Sequence, residues 1–223
     1  MTTKEIQTLS DAHIMNTYGA RKLAFERGDG AKLWDADGRE YLDFFAGIAV
    51  CNLGHAHPAV TRAIQEQAAK LLHVSNLYFI APQAELAALL SEHSFADKWF
   101  FCNSGAEANE GAIKLARRYW VEQGTPKPTV ISAQRSFHGR TLATLTATGQ
   151  AKVQAGFDPL PEGFTHVPFS DFDALEQAIT PGTGAILLEP LQGEGGVRVP
   201  DPGYMEAVRK LCDEQEILLI LDE

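Results

Sequence analysis

The chain has 223 residues, 45% of them hydrophobic and 22% charged, enough for a substantial buried core in one or two domains. Its formal net charge of −10 argues against nucleic acid or an anionic membrane as a partner. The longest purely aliphatic run, Ile217 to Leu221, is far too short for a bilayer, and the N-terminal MTTKEIQTLSDAHIM lacks a signal peptide's apolar stretch, so a cytoplasmic location is expected. Cys51, Cys102 and Cys212 show no paired spacing, as expected of reduced and mostly buried thiols.

In chain order, Leu23 to Ala46 reads as short antiparallel strands, with hairpin signals at Asp29-Gly30 and Asp37-Gly38. His55, His57 and His73 read as structural rather than metal-binding, because no closely spaced fourth ligand accompanies them. Pro58 and Pro82 each sit in a first helical turn, opening helices through about Leu72 and Leu90. From Trp99 onward strands alternate with helices: Trp99–Cys102, Thr129–Ala133, Gly184–Leu188 and Ile217–Leu221. That alternation predicts an α/β fold with a mostly parallel sheet covered on both faces. Asp201-Pro202 opens the last helix. The expected domains are a small α+β segment over residues 1–50 and part of a large α/β domain over 51–223.

The most informative stretch is Asn103 to Trp120. A Ser-Gly-Ala turn opens a helix that Ser104 can cap, with Glu107 completing a capping box. Ala108, Ala112, Leu115, Ala116 and Tyr119 then repeat at helical spacing. Free backbone N–H groups at the positive end of a helix dipole suit an anion, a phosphate above all. Each predicted strand delivers a polar group at its carboxyl end, in turn Ser104, Arg140, Glu189 and Asp222, and ligands of open α/β sheets bind there. Phe137 adds an aromatic plate. A phosphate cradle, a plate to stack on a ring and a carboxylate to keep a ring nitrogen protonated describe a pyridoxal-phosphate pocket. Gly193-Glu194-Gly195-Gly196 lacks the Lys-Ser/Thr pair of a nucleotide loop and reads as a flexible active-site loop. His138 reads as a packing or hydrogen-bonding residue rather than a base.

NSGAEANEGAIKLAR, SFHGRT, LLEPLQGEGG and LILDE resemble the class III aminotransferases, nearest to their acetylornithine-type members, and the resemblance runs from about Met15 to the last residue. It implies the fold-type I architecture of pyridoxal 5'-phosphate transferases. It assigns the cofactor phosphate to Ser104, Gly105 and Ala106, the ring stack to Phe137, the ring nitrogen to Asp222 and a cofactor-neighbouring position to Glu189. On the substrate side it implies Arg140 for the α-carboxylate, Glu194 for alternating between amino donor and acceptor, and Tyr18 at the entrance. The implied reaction moves the terminal amine of N2-acetyl-L-ornithine to 2-oxoglutarate, giving N-acetylglutamate 5-semialdehyde and glutamate. Alternative donors are succinylornithine, ornithine and 4-aminobutyrate.

The resemblance places the Schiff-base lysine beyond Glu223. None of Lys4, Lys22, Lys32, Lys70, Lys98, Lys114, Lys127, Lys152 and Lys210 stands in a matching context. No catalytic residue is therefore assigned within the chain. The expectation is the N-terminal part of a longer enzyme, inactive by itself and lacking the C-terminal part of the fold. A fragment that is non-catalytic by design is the competing reading. A homodimer is implied, by resemblance alone.

Overall fold

The structure is a computed structural model that describes all 223 residues. It divides into two compact units, Met1–Glu92 and His93–Glu223.

The first unit opens with helix α1 (Thr3–His13), which the sequence reading did not anticipate. Its signal is a capping box: Glu5 N donates to Thr2 Oγ1 at 3.3 Å and Thr2 N donates to the Glu5 carboxylate at 2.8 Å. Strands β1 (Phe25–Asp29), β2 (Lys32–Asp35) and β3 (Glu40–Leu42) form the antiparallel sheet that the two hairpin signals predict. Asp35 builds the second turn, accepting from Asp37 N at 3.0 Å, Arg39 N at 2.8 Å and the Tyr41 hydroxyl at 2.8 Å. The single turn α2 (Ala46–Ala49) runs left-handed, with φ of 49° at Ala46, 59° at Ile48 and 60° at Ala49. For residues with a Cβ that conformation costs about 1–2 kcal/mol each. Helix α3 (Pro58–Ala68) starts at the expected proline and stops one turn early, and α4 (Ala81–Glu92) includes Pro82.

The second unit holds the core. Helix α5 (Gly105–Glu122) leads into β4 (Thr129–Ala133), α6 (Leu142–Ala147), α7 (Ala151–Gln154), β5 (Phe164–Val167), α8 (Phe172–Gln177), β6 (Thr183–Leu188), α9 (Tyr204–Glu214) and β7 (Leu218–Leu221). The strands pair in parallel in the order β5-β4-β6-β7. The central strand β6 is buried along its whole length, as its continuous apolar run predicts for a sheet covered on both faces. Alternate side chains divide between the two faces. Ile131, Ala133, Ile186 and Leu188 pack with Leu175, Val208 and Leu211 of α8 and α9; Val130, Ala185 and Leu187 pack with Ile113 and Ala116 of α5.

Several expectations need correction. Trp99–Cys102 is not a strand: no neighbouring strand supplies its hydrogen bonds. Phe100 instead lies against α5, where a Cβ on Gly111 would sit 3.3 Å from its ring. The buried stripe of α5 is Asn109, Ile113, Ala116 and Trp120, shifted from the predicted one, and Leu115 faces outward. The last helix begins at Tyr204, after Gly203. Of the three cysteines only Cys212 is buried; Cys51 is half-buried and Cys102 exposed.

Candidate active site

The chain leaves β4 toward β5 and leaves β6 toward β7, so the carboxyl ends of β4 and β6 flank the crevice where ligands of open α/β sheets bind. The loop after β4 carries Phe137 to Arg140, Glu189 follows β6, and Asp222 follows β7. Glu189 ties two loops together: its carboxylate accepts from Phe137 N at 3.2 Å and Gly193 N at 3.4 Å. Burial pushes the Glu189 carboxyl above the usual carboxylate range, against the pull of those two N–H groups.

Asp222 is held by side chains from two other elements. Its Oδ2 accepts from Asn109 Nδ2 at 2.8 Å and from His138 Nδ1 at 2.8 Å. The Asn109 amide also donates to the His138 carbonyl at 2.9 Å. The His138 side chain is 0% exposed, and its Nε2 is buried without a partner. The second carboxylate oxygen of Asp222, Oδ1, accepts from no protein group.

At the start of α5, Ser104 Oγ accepts from Glu107 N at 3.2 Å, the expected cap. The other half of the predicted box does not form. The Glu107 carboxylate instead accepts from Asn103 N at 2.6 Å and from the Asn103 side chain at 2.9 Å. Gly105 N and Ala106 N have no acceptor in the protein, as first-turn donors of a helix do not. Gly139, at φ 131°, backs directly onto this turn. A Cβ there would stand 2.8 Å from the Ala106 Cβ and 2.7 Å from Thr144 Oγ1, so only glycine lets the Phe137 loop approach α5.

Phe137, Glu189, Gly193, Glu194 and Asp222 line one cavity of about 500 Å³, and no lysine lines it. Glu194 Oε2 accepts from Gln150 Nε2 at 2.8 Å, and the same amide donates to Ser136 O at 3.0 Å. The glycine run is thus anchored rather than loose: Gln192 is fully buried, bonded to Gln134 O at 3.0 Å, and Gly195 packs against the Arg135 carbonyl. The Arg140 guanidinium carbon lies 5.8 Å from the centre of the Phe137 ring. Tyr18 belongs to the first unit and is 73% exposed. That unit has a larger cavity, about 610 Å³ beside His57, Val60 and Ile64. Asp43 is bonded to His55 Nε2 at 2.6 Å, Phe45 N at 2.8 Å and Ala46 N at 2.9 Å. Asn109 and Gln150 were missed from the sequence. Asn109 had a usable signal, being a polar residue on the buried stripe of α5.

The family described as Aminotransferase class-III matches residues 14–223. The chain belongs to the class III aminotransferases. It is 55% identical to the acetylornithine aminotransferase of Gloeobacter violaceus over 219 residues, covering 98% of this chain and 55% of that one. The acetylornithine aminotransferase of Methanothermobacter thermautotrophicus is 52% identical, covering 100% of this chain and 56% of the relative. The chain spans about half the length of the relatives it matches. Among solved structures, the ornithine aminotransferase of Toxoplasma gondii superposes with a TM-score of 0.94 at 32% identity, over 99% of this chain and 53% of that one. The N-acetylornithine aminotransferase of Stenotrophomonas maltophilia gives 0.79 at 41% identity, over 96% and 52%. For this class III aminotransferase the fold is therefore fold-type I, with the parallel sheet of the second unit as its core.

Proposed function

We propose that the protein, at its full length, transfers the terminal amine of N2-acetyl-L-ornithine to 2-oxoglutarate with pyridoxal 5'-phosphate as cofactor. The observation that carries the cofactor is Asp222: one oxygen is saturated by Asn109 and His138, and the other is left to a cavity that Phe137 also lines. The residues fit the group. Gly105 N and Ala106 N, with Ser104, offer donors for the phosphate at the start of an 18-residue helix. Phe137 offers a face for the ring, and Asp222 Oδ1 would accept a hydrogen bond from a protonated ring nitrogen. When bound, the cofactor carries the amino group and withdraws electrons from the carbon that gave it up.

The chain's own residues set up that chemistry. Glu189 fixes the Phe137 and Gly193 backbones, so the plate and the substrate-side loop keep one geometry. Arg140 presents a planar fork suited to the donor's α-carboxylate, which a lysine would not reproduce. Glu194, held by Gln150, stands on the substrate side, and Tyr18 is assigned to the entrance. The amine that anchors the cofactor is taken to come from outside residues 1–223, since no lysine lines the cavity. The assignment of residues 1–50 to a small segment and 51–223 to the large domain is kept as the proposal for the full-length enzyme.

Relatives named for acetylornithine at 52% and 55% identity support the acylated donor. The 0.94 superposition on an ornithine aminotransferase supports a second reading in which free ornithine is the donor. A homodimer is proposed as well, supported by the exposed apolar side chains of the first unit, among them Phe44, Ile48, Leu77 and Phe79. A cytoplasmic setting agrees with the charge of −10, and no helix is long and apolar enough to cross a membrane. The donor is tested with Arg140→Ala. It should raise the KM for acetylornithine roughly 10- to 100-fold, the worth of hydrogen bonds to a charged group, and leave an ω-amine without an α-carboxylate nearly unaffected. Equal effects on both donors would overturn the assignment.

A further inference from the structure

We propose that Asn109 is a positioning residue of this site, selecting which oxygen of Asp222 faces the cofactor and setting the distance from that oxygen to the phosphate turn. This inference rests on the pyridoxal-phosphate reading.

Asn109 is 6% exposed on the stripe it shares with Ile113, Ala116 and Trp120, where an apolar residue would pack without cost. A buried amide is retained only where its hydrogens are used. Both are: one goes to Asp222 Oδ2 and one to the His138 carbonyl. The amide therefore joins α5, the β4 loop and the residue after β7. With His138 Nδ1 on the same atom, Oδ2 has two donors and Oδ1 has none, so the carboxylate cannot rotate without breaking both bonds. Loss of either would leave a buried donor unpaired. His138 already has one buried nitrogen without a partner, so the ring's placement favours Asp222 over its own full satisfaction.

The same residue sets a length. Asn109 follows Gly105 by four residues of helix, a rise of about 6 Å. The free N–H groups of Gly105 and Ala106 and the amide that orients the Asp222 carboxylate thereby sit on one helix. A ligand carrying an anion at one end and a protonated ring nitrogen at the other is measured against that spacing.

The test uses the protein at its full natural length, comparing wild type with Asn109→Ala, Asn109→Ser and Asn109→Asp. Three quantities are read: the dissociation constant for pyridoxal phosphate, the pH titration of the bound cofactor's visible band, and the dissociation constant for inorganic phosphate. Asn109→Ala and Asn109→Ser should weaken pyridoxal phosphate about 10- to 100-fold. They should also shift the band's titration, because the ring-nitrogen charge that tunes it loses a fixed partner, while inorganic phosphate binding is unchanged. Asn109→Asp keeps the shape but sets a like charge against Asp222, so it should lose more than either. Unchanged affinity and titration in whichever variants fold, or parallel losses for pyridoxal phosphate and inorganic phosphate, would overturn the role of Asn109 alone. Failure of the wild type to bind pyridoxal phosphate would overturn the cofactor reading and this inference with it.

Discussion

The two units use apolar residues in opposite ways. In His93–Glu223 the apolar side chains close on both faces of a parallel sheet, and Ile131, Leu187 and Leu188 are entirely buried. In Met1–Glu92 the only buried residue is Asp35, a turn-builder, while Leu72 is 83% exposed and Phe79 wholly so. A three-stranded antiparallel sheet of short strands has too little surface to cover such side chains. The second unit thus closes its own core and carries the candidate site. The first leaves large apolar side chains uncovered, and a second copy of the chain is the cover proposed above.

The contrast can be broken most sharply by paired truncations. Leu187→Ala removes a side chain packed between the sheet and α5 and should cost about 2–5 kcal/mol in chemical denaturation. Leu72→Ala should cost less than about 0.5 kcal/mol in folding, while weakening self-association in sedimentation. Equal costs at the two sites would erase the distinction. At the site itself, Asp222→Ala strands the donors of Asn109 and His138 and removes the proposed ring-nitrogen acceptor. Transamination by the full-length enzyme should fall roughly a hundredfold or more, measured as glutamate formed.

The smallest effect belongs to the first unit. The hydrogen bond from His55, then the N–H groups of Ala46 and Phe45, hold the Asp43 carboxyl below its usual value of 3.8. A depressed folded value means that the stability it supplies is fully present well above pH 3.8 and is lost as pH falls through the folded value. Melting curves across pH should therefore show the wild type's advantage over Asp43→Asn shrinking in acid. A gap that stays constant down to the lowest pH would remove Asp43 from the account.

How much of this was legible in the sequence follows from the same contrast. Continuous apolar runs ending in Glu189 and Asp222 announced β6 and β7 and their polar ends; β6 is buried on both faces, as such a run implies, whereas β7 lies at the sheet edge and is half-buried. Asp29-Gly30 and Asp37-Gly38 announced the hairpins through turn chemistry. The Trp99–Cys102 run misled, since apolar content alone does not supply a pairing strand. Glu107 followed capping-box spacing, yet its carboxylate turned back to Asn103, a competition among local donors that spacing does not resolve. Asn109 stayed hidden because its role depends on Asp222, 113 residues away along the chain. The left-handed turn at Ala46–Ala49 had no signal beyond Gly47.

The most direct measurement is a visible-absorption titration of the full-length protein with pyridoxal 5'-phosphate, followed by N-acetylornithine. The expected result is a saturable cofactor band in the wild type that acetylornithine discharges and 2-oxoglutarate restores, with binding much weakened in Asp222→Ala. A wild type that takes up no cofactor, or an Asp222→Ala variant that binds it as tightly, would contradict the site described above.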